Sequence, residues 1–131
     1  MRPLLIFLAG VVLVFGAIAA AIVLTRPSER VFVVVDGSFP MRAVWDQVPP
    51  ILGQIEAEGY AEVSLATEKD LVHSWQSSFE LQAPTPYAPC DFSEIADYAE
   101  AQEADARVLV TTATSCPTDG LDEWEVRTLE P

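Results

Sequence analysis

Val31-Phe32-Val33-Val34-Val35-Asp36-Gly37-Ser38-Phe39-Pro40-Met41 is the stretch on which the fold turns. Its first five residues are β-branched or aromatic without alternation, the mark of a strand buried on both faces, as in the parallel sheets of α/β proteins. Asp36-Gly37-Ser38 ends that strand. Downstream, apolar residues at 44, 48, 51, 52 and 55 have helical spacing. Pro49 and Pro50 suit no helix interior, so the regular part is expected from Pro50 to Glu58, with Gly59 as its stop. Ala61 to Thr67 alternates and predicts a second strand, and Leu71 to Trp75 a weaker third. Gln76 to Pro89, with Pro84, Pro86 and Pro89, is expected to be a loop. Asp91-Phe92-Ser93-Glu94 has the chemistry of a helix start, predicting a helix to about Ala104. Arg107 to Thr112 predicts another buried strand and Glu123 to Leu129 an edge strand. Strands alternating with helices argue an α/β fold, a small mostly parallel sheet flanked by helices, in one domain over 31–131.

Upstream of that domain the chemistry changes. Leu4 to Leu24 is 21 residues without a charged side chain. At about 1.5 Å per residue it reaches about 31 Å, the thickness of a bilayer's hydrocarbon core. Residues 1–25 are thus expected to form one N-terminal transmembrane helix or signal anchor, and 26–30 a short linker. The competing reading is a cleaved secretory signal, for which Ala17 and Ala19 to Ala21 offer small-residue sites, though its apolar core would be long. Arg2 lies before the run and Arg26 and Arg30 after it, so basic residues do not decide the orientation.

The chain has 131 residues, with 20 acids against seven bases, and the imbalance lies downstream. From Val31 onward 19 acids face four bases, a formal charge of −15. Such a field repels nucleic acid and anionic lipid headgroups, which makes both poor partners of the domain. There is no Gly-rich nucleotide loop and no Cys-x-x-Cys pair. His73 is the only histidine, and nothing supplies a nucleophile–base spacing. Glu94, Asp97, Glu100 and Glu103 recur every three residues and read as one solvated face of the expected helix. Trp45, Trp75 and Trp124 are large aromatics suited to anchoring a partner, with core placement expected for at least two.

A hydrophobic strand ending in Asp36-Gly37-Ser38-Phe39-Pro40-Met41 and followed by a helix resembles the opening of a von Willebrand factor type A domain, whose motif there is D-x-S-x-S. Cys90-Asp91-Phe92-Ser93 resembles the family's T-D-x-[SG] segment, and Val108 to Thr112 the strand that ends in its T-D-G. The resemblance implies a Rossmann-type sheet with loop oxygens at its C-terminal end, placed in the family to hold a divalent cation. Here Asp36 and Ser38 keep oxygen donors, but Pro40 replaces the second Ser, Cys90 the Thr and Thr112 the acid, unless Asp119 swings in. The implied site is therefore a degraded one, without metal or cofactor. Its loops, with Asp36, Ser38, Cys90, Asp91 and Thr112, would serve as a binding surface.

In the family's geometry the loop bearing Cys90 neighbours the loop after the fourth strand, which bears Cys116. The resemblance thus implies a Cys90–Cys116 disulfide in place of the cation, and with it an oxidising compartment. The expected protein is a single-pass, non-catalytic interaction domain at the cell membrane. It lies on the extracytoplasmic (periplasmic) side, is anchored through residues 4–24 and is paired with another envelope protein. The alternatives are a cation-dependent binder or a thiol enzyme using Cys90 or Cys116.

Overall fold

The structure, a computed structural model, describes residues 2–25, 29–81 and 86–131. An α-helix, α1, runs Arg2–Thr25. Side chains are described only from Ile6 to Ile18 of α1, which is less than the expected 4–24 span, and among the described residues no helix is long and apolar enough to cross a membrane. Most of the expected linker, 26–28, and part of the proline loop, 82–85, lie outside the described residues.

The domain is built on a five-stranded sheet. Its strands are β1 (Arg30–Val35), β2 (Glu62–Thr67), β3 (Leu71–Gln76), β4 (Ala106–Thr112) and β5 (Glu125–Leu129), in the spatial order β3-β2-β1-β4-β5. β1 is central and pairs in parallel with β2 and β4, and β5 pairs in parallel with β4. β3 is antiparallel to β2, so the sheet is mixed. Chain length explains the exception: the turn joining them has Asp70 O accepting from Thr67 N (2.8 Å), far too tight for a crossover back to a parallel strand.

Two cores sandwich β1. Val31, Val33 and Val35 face one layer, where Met41, Val44, Val48, Leu52 and Ile55 pack. Phe32 and Val34 face the other, with Phe92, Ile95, Ala101, Leu109 and Trp124. This is why the β1 sequence does not alternate: each residue from Val31 to Val35 is wholly buried.

The first layer begins with a 3₁₀-helix, Phe39–Gln47, that passes into α2, Val48–Ala57. Pro49 and Pro50 sit in the first turn of α2, where a missing N–H costs nothing. The helix therefore starts slightly earlier than the expected Pro50. It stops where Gly59 adopts φ 91°, a left-handed conformation natural to glycine.

The second layer differs from expectation. Instead of one helix from Asp91 to Ala104 there are a 3₁₀ turn, Ile95–Asp97, and a short helix α3, Ala99–Glu103. Tyr98 between them is extended, with ψ 137°, and buries part of its ring edge-on against Phe32, 5.6 Å between centroids. Docking that ring on the sheet breaks the helical run. The acidic residues consequently do not form one face. Glu100 accepts from Ser74 Oγ (3.1 Å) and Glu103 from Trp75 Nε1 (2.8 Å), whereas Glu94 and Asp97 border a cavity.

Candidate functional site

Strands β1 and β4 end side by side, and Asp36 N–H donates to Val110 O (2.9 Å), continuing the ladder one residue past β1. That geometry buries the Asp36 side chain completely under the C-terminal edge of the sheet. A buried carboxylate demands donors, and three surround it. Oδ1 accepts from Ser38 N–H (2.8 Å), while Oδ2 accepts from Thr111 Oγ (2.8 Å) and from Ser115 Oγ. Ser115 also lies 3.2 Å from Ser38 Oγ and 3.0 Å from Cys90 Sγ.

Cys90 and Cys116 form a disulfide, with Cα atoms 5.7 Å apart, and Cys116 N–H points at Cys90 Sγ (3.1 Å). Through Ser115 this bridge covers the Asp36 cluster and ties the loop before the 3₁₀ turn to the loop after β4. Thus Asp36, Ser38 and Cys90 come together. Thr112 is one residue too far along β4: it is buried and paired with Leu129, and its neighbour Thr111 reaches the carboxylate. Asp91 stands apart and exposed, its Oδ1 accepting from Ser93 N–H (2.9 Å), and those bonds to Ser93 hold its carboxyl below the ordinary range. Asp119 is also exposed.

Two participants were not anticipated from the sequence. Ser115 carries no motif of its own, and only its place beside Cys116 pointed to it. Glu68, just past β2, is buried, and Oε2 accepts from Gly37 N–H (2.7 Å). A Cβ on residue 37 would lie 3.4 Å from that oxygen, at the near limit of ordinary van der Waals contact. Oε1 is buried without a partner among the described residues. Burial raises the Glu68 carboxyl above its ordinary 4.5, with nearby Asp36 adding to the rise and the Gly37 amide opposing it.

The rim of the same edge is aromatic. Phe39 and Tyr87 are 51% and 55% exposed, on segments joined by hydrogen bonds from Phe39 N to Ala88 O (3.1 Å) and from Tyr87 N to Gly37 O (3.1 Å). The Arg42 guanidinium lies 5.0 Å over the Phe39 ring, and its Nε donates to Pro86 O. The tryptophans go elsewhere. Trp124 is buried, Trp45 and Trp75 are partly buried against the two cores, and Arg30 stacks on Trp75 at 5.1 Å. His73 on β3 accepts from Glu80 N–H (3.2 Å).

No group of three or more His, Cys, Asp or Glu placed to hold a metal occurs among the described residues. Compared with protein-family models, curated proteins and solved structures, the chain matches none.

Proposed function

We propose that this chain is a membrane-anchored, non-catalytic interaction domain of the cell envelope, von Willebrand A-like in design, that binds a protein partner through the loops at the C-terminal edge of its sheet. The carrying observation is the exposed rim of Phe39, Tyr87 and Arg42 around a wholly buried Asp36. Aromatic and arginine side chains are the types that dominate binding energy at interfaces, and this edge is where open α/β sheets present ligands. Support for the resemblance is the α/β architecture itself, with Asp36 and Ser38 at the end of the central strand. Both Asp36 oxygens are committed to protein donors, which favours a structural anchor for the rim over a cation ligand. Both sulfurs bond to each other, which disfavours the thiol-enzyme alternative.

Anchoring rests on the uncharged run from Leu4 to Leu24 within a 24-residue helix. An extracytoplasmic side fits the disulfide, which persists in oxidising compartments.

The test is site-specific photocrosslinking in intact cells, with the reactive residue placed at Tyr87 or, as a control on α2, at Glu56. The rim position is expected to capture one defined protein, with capture lost in F39A. Equal products from both positions would refute the reading. Protease added to spheroplasts, whose outer membrane has been opened, is expected to digest the domain, and full protection there would remove the extracytoplasmic assignment.

A further inference from the structure

Glu68, Lys69, Glu94, Asp97 and Tyr98 border a cavity of about 240 Å³ beside the Asp36 cluster. Three of these five residues are carboxylates against one cation, Lys69, and among the described ion pairs none involves them: Arg30 pairs with Glu62, and Arg127 with Glu58 and Glu125. Acidic side chains alone would mean only a solvated surface. Glu68 is different because it is 8% exposed, one oxygen is fixed by Gly37 N–H, and the other is buried without a partner. Desolvating a carboxylate without a donor is costly, and Glu68 forms part of the cavity wall, so a donor in the cavity that Oε1 meets by a rotation of the carboxyl recovers that cost.

We propose that this cavity receives a basic side chain of the partner protein, an arginine guanidinium. The proposal deepens the reading above and rests on it only for the partner's being a protein. A planar guanidinium suits the walls because its several N–H groups serve separated carboxylates at once, where an ammonium is a single point. Tyr98 adds an aromatic wall, on whose ring a guanidinium stacks favourably. The volume accommodates the guanidinium and part of its stem. The field of a domain with formal charge −15 from Val31 onward steers cationic segments toward it.

The experiment uses the full chain in lipid nanodiscs, isotopically labelled for NMR, titrated with the blocked peptide acetyl-Gly-Arg-Gly-amide and with its neutral citrulline counterpart. Saturable shifts of the Gly37, Lys69 and Asp97 amides are expected with the arginine peptide, at roughly millimolar concentration as befits one side chain. E68Q, which keeps the size and the acceptor for Gly37, is expected to weaken binding about tenfold, the scale of one charge-assisted hydrogen bond. An E94Q/D97N double variant serves as a second test that leaves the buried position untouched, and the same direction is expected. Three results would each overturn the proposal: citrulline binding as well as arginine, arginine shifts spread without saturation over the acidic surface, or undiminished affinity in both folded variants. Calcium chloride saturating the same amides more tightly than the peptide would also overturn it, making the cavity a metal site. Loss of crosslinking at the aromatic rim leaves these titrations unchanged, so the two readings fail separately.

Discussion

Asp36 shows how one side chain can organise an edge of a sheet. Its carboxylate is out of water, and three donors replace the solvent it lost. D36N exchanges an acceptor oxygen for an N–H₂ that faces hydroxyls already oriented to donate. A loss of about 2–3 kcal/mol is expected from urea unfolding, the worth of hydrogen bonds to a charged group, and an unchanged midpoint would show that the cluster contributes little. Glu68 works in the opposite direction. Its folded-state carboxyl is raised by burial, so the native protein holds that proton more tightly than the unfolded chain does. The associated stability is present below the unfolded value near 4.5 and is lost as pH rises through the raised folded value. E68Q is therefore expected to melt higher than the parent at neutral pH, with the two converging below about pH 4. A constant offset across that range would contradict the assignment. In the sequence, Asp36 and Ser38 stood out because, at the end of an apolar run, they carried the family resemblance. Glu68 is one acid among 20, and burial alone distinguishes it.

Elements were legible in proportion to how locally they are determined. β1 and β4 follow from apolar runs that need only burial to be strands, β2 follows from the alternation of Val63 and Leu65 with polar neighbours, and α2 follows from apolar spacing and the proline and glycine at its ends. The expected helix from Asp91 onward does not form as one piece, because Tyr98 gains more by docking on Phe32 than by continuing the turn. The packing of α2 gives a direct check. Ile55 is wholly buried against β1, and I55A should cost about 2–5 kcal/mol by chemical denaturation, as large-to-small changes in closed cores do. L109A on the opposite face is expected to cost a similar amount. A loss below 1 kcal/mol at either position would mean that this layer is looser than its burial indicates.

Across the whole molecule, the Cys90–Cys116 bridge closes a loop of 26 residues around the second layer. Restricting an unfolded chain by a loop of that size contributes about 3 kcal/mol. Reductant, or the C90S/C116S pair, is accordingly expected to lower the unfolding free energy by about that amount, and an unaltered melt under reduction would refute it. Because Ser115 adjoins the bridge and donates to Asp36, the reduced protein should also show amide shifts at Ser38 and Thr111.

The amino-acid sequence by itself determined the apolar N-terminal run, the acidic character of the domain, its central strand and its α/β alternation. Each depends on side chains close together in the chain, where hydropathy and spacing suffice. Tertiary structure alone decided that Ser115, Thr111 and Glu68 join Asp36, Ser38 and Cys90 at the edge of the sheet. Ser115 is 79 residues from Asp36 and Glu68 is 31 from Gly37, and such pairs meet only once β4 and β2 have flanked β1. Burial then sets their chemistry: the same carboxylate is an unremarkable solvated charge on the surface, but under the sheet it must find donors or keep its proton.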